Sequence, residues 1–263
     1  MGKNSIFAQS LDRDRGVTIK SPRELEFMRE AGKVVASVKR DLIDSIKPGM
    51  KTQELDDIAV ECIQSMGAKP SFKGYLGFPR TICVSINEEI VHGIPGERVI
   101  QDGDLVSMDV GAVVGGFHGD SALTVGVGSI SKEAENLMAV TETALDIGIS
   151  KARNNARIGD VSHAIQTYIE SKGLSVVRQY VGHGIGRALH EEPQIPNFGN
   201  LGTGPILRKG MVIAIEPMVN IGGWETEVMA DNWTVVTADG SLSAHFEHTL
   251  AITDGDAEVL TRI

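Results

Sequence analysis

Residues 50–67, MKTQELDDIAVECIQSMG, and residues 156–173, ARIGDVSHAIQTYIESKG, carry one pattern twice, 106 positions apart. Leu55, Ala59, Ile63 and Gly67 align with Val161, Ile165, Ile169 and Gly173. The i, i+4, i+8 spacing places three apolar residues on one helical face, and the glycine follows where a helix stops. Each copy is preceded by a longer periodic run, residues 21–46 and 131–154, and followed by strand-rich sequence, 81–128 and 176 onward. Each half then carries an HGI triplet, at His92 and at His183. Two copies are too few for a solenoid. A helix–helix–sheet unit used twice gives an α+β fold whose helices cover one side of a joined antiparallel sheet and leave a cleft on the other.

The first helix is announced by Ser21-Pro22-Arg23-Glu24, an N-cap serine, a proline at the first helical position and a capping-box glutamate. Pro48-Gly49 ends the run. The expected second, third and fourth helices span residues 52–66, 131–154 and 160–172. Residues 1–20 read as a polar N-terminal tail, and 21–263 as a single catalytic domain.

An apolar fraction of 41% supports a packed core, and the net charge of −10 does not advertise nucleic-acid binding. The two cysteines, Cys62 and Cys83, form no CxxC or zinc pattern and read as packed thiols. No stretch has the ~18 apolar residues of a membrane span, and MGKNSIFAQSLDRDRG lacks the apolar centre of a signal peptide. A cytoplasmic protein acting as a monomer is expected.

Carboxylates stand where strands should be apolar. Residues 104–128 alternate and turn at Gly115-Gly116, which predicts a hairpin with Asp109 in one strand and Asp120 in the other. A two-residue turn there puts both aspartates on one face, about 5–8 Å apart. Aspartate is disfavoured inside strands, and two that face each other repel unless a cation lies between them. Glu216 in GMVIAIEPMVNI and Glu247 in SLSAHFEHTLAITD are likewise expected mid-strand, amid apolar residues. In GHGIGRALHEEP, His183 lies between two glycines, a poor composition for helix or strand, so a turn passing close to a ligand is expected there. Four carboxylates and an imidazole suit two divalent cations such as Mn, Fe, Co or Zn. A pair of such ions brings the pKa of water toward neutrality, which is hydrolytic chemistry.

These residues carry a family resemblance. YVGHGIGRALHEEP, IAIEPMV, DNWTVVTADGSLSAHFEHT, INEEIVHGIP and the aspartate pair together closely resemble type I methionine aminopeptidases, from about Ile19 onward. The resemblance implies the pita-bread fold, whose pseudo-symmetric halves agree with the repeat. It implies Asp109, Asp120, His183, Glu216 and Glu247 as metal ligands, with Asp120 and Glu247 bridging two ions. His92 and His190 resemble the family's two non-ligand active-site histidines, and Tyr75, Phe78, Cys83, Leu189 and Trp233 the pocket for the methionine side chain. Leu189 stands where phenylalanine is familiar in bacterial relatives and Gly111 where threonine is common, so the pocket's shape is the open point.

The implied activity is removal of N-terminal methionine from nascent chains whose second residue is small. Glu216 would shuttle a proton, His190 would stabilise the tetrahedral oxyanion, and His92 would contact the scissile amide. Transient ribosome contact is implied by the same resemblance. His118, His245 and His248 flank ligands as candidate supports, while His163 is expected on a helix surface. Cys83 has no basic partner and is not read as a nucleophile. The alternatives are a proline-directed relative of prolidase or aminopeptidase P type, and a non-catalytic peptide- or ribosome-binding module on the same fold.

Overall fold

The computed structural model describes residues 16–262. Most of the expected N-terminal tail, residues 1–15, lies outside the described residues. Val17 to Lys20, which the sequence placed in that tail, instead run along the fold: Val17 bridges Glu192 and Lys20 is buried.

Among the described residues the α-helices are α1 Pro22–Ser45, α2 Thr52–Ser65, α3 Lys132–Lys151 and α4 Ile158–Ser171. In the first half the strands are β1 Lys69–Pro70, β2 Ile82–Ile86, β3 Glu89–Val91, β4 Leu105–Val114 and β5 Phe117–Gly126. The second half begins with β6 Ser175–Val176, β7 Gly182–Gly184, β8 Glu191–Ile195, β9 Val212–Ile215 and β10 Met218–Asn220. It continues with β11 Thr226–Val228, β12 Val235–Thr237, β13 Ser243–His245, β14 His248–Ala251 and β15 Glu258–Val259.

The duplication is literal in the helices. α2 and α4 begin at Thr52 and Ile158 and end at Ser65 and Ser171, keeping the sequence offset. Leu55, Ala59 and Ile63 are fully buried, as are Val161, Ile165 and Ile169. Gly67 and Gly173 both take positive φ, +70° and +76°, where a side chain would be strained. Ser21 caps α1, accepting from the Glu24 N–H while the Glu24 carboxylate accepts from the Ser21 N–H. α3 ends at Lys151, three residues before the expected Asn154, because Ala152 leaves helical geometry and Asn155 takes φ +70°.

One sheet holds β4 between β1 and β2 with β5 beside it, and a five-stranded sheet runs β15-β14-β9-β7-β8. Two three-stranded sheets, β13-β10-β6 and β11-β12-β3, join them, and every strand pairing is antiparallel. α1 packs on the β4–β5 hairpin, and α3 lies across β5, β9, β10 and β13. The apolar core between helices and sheets draws on both halves, from Val35 and Val106 to Ile213 and Val219. The carboxylates lie on the sheets' other side.

Gly115 and Gly116 make the hairpin turn with φ +59° and +81°, which matches the right-handed twist of its strands. The register opposes Asp120 to Gly111 and Asp109 to Ala122, so the two aspartates are diagonal neighbours on one face. Glu216 and Glu247 depart from the expectation. Neither lies within a strand. Glu216 sits between β9 and β10, and Glu247 between β13 and β14. At both points the chain passes from the five-stranded to a three-stranded sheet or back, and since β9 pairs β14 while β10 pairs β13, the two breaks face each other. Pro217, which has no N–H, makes the break after Glu216.

The glycines around His183 also differ from expectation. They form strand β7, and neither takes positive φ. A Cβ on Gly182 would strike the Ala214 carbonyl oxygen, and one on Gly184 the Glu192 carbonyl oxygen. Bare backbone is needed for close strand packing, which holds the intervening His183 still. Gly184→Ala is expected to destabilise the fold by about 3 kcal/mol, the upper range for overpacking, read as a lowered urea midpoint; an unchanged midpoint would show that β7 yields freely.

Candidate active site

The cleft holds a cavity of about 210 Å³ whose walls include every metal-ligand, histidine and methionine-pocket residue that the resemblance implies. The structure brings Asp109, Asp120, His183, Glu216 and Glu247 to its floor, with His92 and His190 beside them and Tyr75, Phe78, Cys83, Leu189 and Trp233 along one end.

His183 is fixed in one tautomer. Its Nδ1–H donates to the Gly184 carbonyl at 2.9 Å, because a carbonyl can only accept. Nε2 is therefore the lone-pair nitrogen, and it faces Glu216 Oε1 at 3.6 Å and Asp120 Oδ2 at 4.0 Å. Burial, then the neighbouring His190, holds the His183 pKa down to about 3, so the ring is neutral and able to ligate. Donor atoms of Asp120, His183 and Glu247 lie within 4.8 Å of one another.

The carboxylates are in an unfavourable state without a cation. Burial, then the Glu247 and Asp109 charges, pushes Asp120 well above the usual carboxylate range. Glu216 and Glu247 are raised well above it too, by burial first and then by their acidic neighbours, and Asp109 is raised chiefly by burial. Asp109 Oδ1, Asp120 Oδ1 and Glu247 Oε1 are buried without a hydrogen-bond partner. Unpaired buried acceptors of like charge are costly, and a divalent ion among them satisfies them together. The donor set therefore fits divalent metal: hard carboxylate oxygens plus one borderline imidazole.

Hydrogen bonds on the far side hold the floor in register. Thr249 Oγ1 donates to the Asp120 carbonyl at 2.7 Å and accepts from the Asp120 N–H at 3.0 Å. Lys39 Nζ, buried on α1, donates to Ser121 Oγ at 2.6 Å, and that hydroxyl donates to the Glu247 carbonyl at 2.5 Å. Asp120 and Glu247 are thus tied through backbone, independent of any ion.

The apolar end is built from Phe78 and Trp233, whose rings meet edge-on at 5.1 Å, with buried Leu189 and Cys83. Burial, reinforced by Asp109 and Asp120, keeps the Cys83 thiol protonated. Gly111 has a visible reason: the space its Cβ would need is filled by the Phe72 ring and the Ser71 side chain. His190 lies over the metal-ligand candidate His183, ring centroids 4.3 Å apart, and its Nδ1 pairs with the Tyr75 hydroxyl at 2.7 Å. His92 takes φ +61°, a strained value for a residue with a side chain, and its ring stands edge-on to Tyr180 at 5.7 Å.

Tyr180, Met218 and His245 also line the cavity and were not singled out as contacting substrate. Met218 was findable, since extended backbone from Glu216 returns to the same face two residues later. His245 is fully buried, with Nε2 unpaired and 3.8 Å from Glu216 Oε2. His118 pairs with Ser71, His248 with Thr261, and His163 is exposed.

The profile of Metallopeptidase family M24 matches residues 26–254. Methionine aminopeptidase 1 of Bacillus subtilis is 56% identical over 247 residues, covering 94% of this chain and 100% of that one. The methionine aminopeptidase of Clostridium perfringens is 51% identical, covering 94% and 99%. The crystal structure of methionine aminopeptidase from Thermotoga maritima superposes with a TM-score of 0.93 at 49% identity, covering 94% of this chain and 100% of that one. Prolidase from Pyrococcus furiosus shares the fold alone, with a TM-score of 0.77 at 21% identity, and the alignment covers 67% of its length. The pita-bread architecture and these similarities together establish that the chain belongs to metallopeptidase family M24, on its methionine aminopeptidase branch.

Proposed function

We propose that the protein removes N-terminal methionine from newly made chains whose second residue is small, using two divalent ions. The observation that carries this reading is the set of buried, partnerless carboxylate oxygens lining a cavity that also holds an apolar, aromatic wall. Asp109, Asp120, His183, Glu216 and Glu247 would hold the ions. Bound there, the ions supply Lewis acidity and make water acidic enough to ionise near neutral pH.

The chain's own groups do the rest. Phe78, Trp233, Leu189, Tyr75 and Cys83 enclose an unbranched apolar side chain, and the sulfur of methionine gains from the facing aromatic edges. Glu216 would take a proton from attacking water and return it to the leaving amine. His190, oriented by Tyr75, donates to the developing oxyanion, and His92 contacts the amide being cleaved. Tyr180, Met218 and His245 line the same cavity, and we assign to them the exclusion of a bulky second residue.

No helix among the described residues is long and apolar enough to cross a membrane. We place the activity in the cytoplasm, on chains leaving the ribosome, with transient ribosome contact, and in a monomer. The test is hydrolysis by metal-stripped protein reloaded separately with Mn, Fe, Co and Zn. Release of methionine from Met-Gly-Met but not from Met-Leu-Met is expected, and the best ion identifies the cofactor. Cleavage of Ala-Pro peptides alone would move the protein to the prolidase branch; no cleavage with metal bound would leave a binding role. His190→Ala should keep the metal and lose most of the turnover, and full activity would remove its assigned role.

A further inference from the structure

The loop from Ile185 to His190 carries both Leu189 and His190, yet residues 186–190 belong to no strand or helix. Something outside the loop must hold the imidazole in place. Its neighbour Glu191 opens β8 and turns away from the cleft toward residues 18–20. Lys20 Nζ donates to Glu191 Oε2 at 2.8 Å, with side chains only 4% and 10% exposed. Thr18 Oγ1 donates to the same oxygen at 2.6 Å, and Lys20 Nζ also reaches Thr18 Oγ1. The other oxygen, Oε1, accepts from the Ala188 N–H at 3.2 Å, inside the loop.

The site is built for this pair. A Cβ on Gly186 would strike the Glu191 carboxylate and Lys20 Cε, so the loop must be bare there to let the pair lie against it. The strand-like segment that brings Lys20 is itself anchored. Val17 bridges Glu192, the Lys20 N–H donates to the Gly210 carbonyl at 2.7 Å just before β9, and α1 begins two residues on. A second tie runs alongside: Arg187, stacked on the Phe117 ring at 4.3 Å, meets the capping Glu24 at 3.2 Å. Breaking a buried pair by removing one partner leaves an uncompensated charge, so Lys20 and Glu191 hold each other strongly in place.

We infer that Lys20, through the Glu191 carboxylate, is a positioning residue for His190: the segment 17–20 straps the 185–191 loop so that the imidazole stays over the cleft between Tyr75 and His183. The inference rests on the role proposed above for His190. Lys20 touches no substrate and no ligand side chain. Its effect passes through loop geometry, and displacement of a catalytic group by about 1 Å can cost 10²-fold in rate.

The test uses full-length, Mn-loaded enzyme and Met-Gly-Met. Lys20→Met should lower kcat about 10- to 100-fold while KM stays within about twofold and metal stoichiometry is unchanged. Hydrogen exchange of the peptide covering 185–191 should quicken. In a His190→Ala background the same Lys20→Met change should alter kcat less than about twofold, because the group it positions is gone. A kcat for Lys20→Met within twofold of the parent overturns the inference, as does an equal loss in both backgrounds, which would mark a general structural role. Should Lys20→Met fail to fold, Glu191→Gln and Thr18→Val carry the same comparison, and no fall in kcat for either overturns it. Full activity in His190→Ala overturns this inference together with the role given to His190, whereas a large loss in His190→Ala without one in the strap variants defeats the strap alone.

Discussion

Glu247→Ala is expected to abolish peptide hydrolysis and strip the protein of divalent metal, yet to raise the melting temperature of the metal-free form. The two effects have one cause. Glu247 is 2% exposed, one of its oxygens has no partner, and burial together with Glu216 and Asp109 drives its pKa upward. In the metal-free protein that carboxyl is a liability, so removing it relieves repulsion. As a ligand it would be a donor that no neighbour replaces, because Glu247 stands at the joint between β13 and β14 and faces the joint that carries Glu216. The activity loss should reach at least ~10³-fold, beyond the 10–100-fold typical of groups that only orient a ligand. Its backbone ties to Ala122 and Ser121 survive the substitution, so the fold is expected to persist. Metal analysis after gel filtration, activity on Met-Gly-Met and metal-free melting curves check the three statements. Retained stoichiometric metal with retained turnover would remove Glu247 from the site.

The helices and the hairpin were legible because local periodicity decides them. Leu55, Ala59 and Ile63 recur at helical spacing whatever surrounds them, and Gly115-Gly116 can satisfy a turn that almost no other pair can. With the hairpin register came the shared face of Asp109 and Asp120. Glu216 and Glu247 were legible as anomalies but not as joints. The run IAIEPMV is apolar on both sides and AHFEHTL reads as one strand, and only the exchange of partners between two sheets breaks them, a tertiary event with no local signature beyond Pro217.

The glycines of β7 were misjudged for a related reason. Composition argued against a strand, but what excludes a side chain at Gly182 and Gly184 is the carbonyls of Ala214 and Glu192, which lie on neighbouring strands of the sheet. His245 drew only a weak reading, because a histidine two residues from a ligand says nothing about where its nitrogen points. Lys20 drew none: it lay in a stretch read as polar tail, and its partner Glu191 is distant in sequence.

Removing metal is expected to make stability fall as pH rises from about 6.5 to 8, and restoring metal should abolish that fall. The buried carboxyls of Asp109, Asp120, Glu216 and Glu247 have raised pKa values, Asp109 to about 7 and the others well above the usual carboxylate range, burial being the first cause for each. A raised pKa means that the folded state holds a proton the unfolded chain has released, so the contribution is full below the unfolded value near 4 and is lost as pH climbs through the folded one. The histidines act oppositely. His92, His118, His183, His245 and His248 are held below 6.5, three of them at about 3, so they stabilise above 6.5 and lose that contribution as pH falls. Between about 4 and 6.5 the two sets offset each other. Above 6.5 the histidines are neutral in both states and only the carboxyls remain. Lys39, lowered by burial to about 8, begins to oppose them there and closes the window. Each carboxyl still protonated within it adds a slope of about 1.4 kcal/mol per pH unit. Divalent metal requires the same carboxyls ionised, so its affinity rises across the window and its stabilisation cancels the loss. Melting curves at half-unit steps from pH 5 to 8, with chelator and with Mn, check this. A chelated protein whose melting temperature holds level or climbs between 6.5 and 8 would mean that the acidic floor is already neutralised by something other than metal.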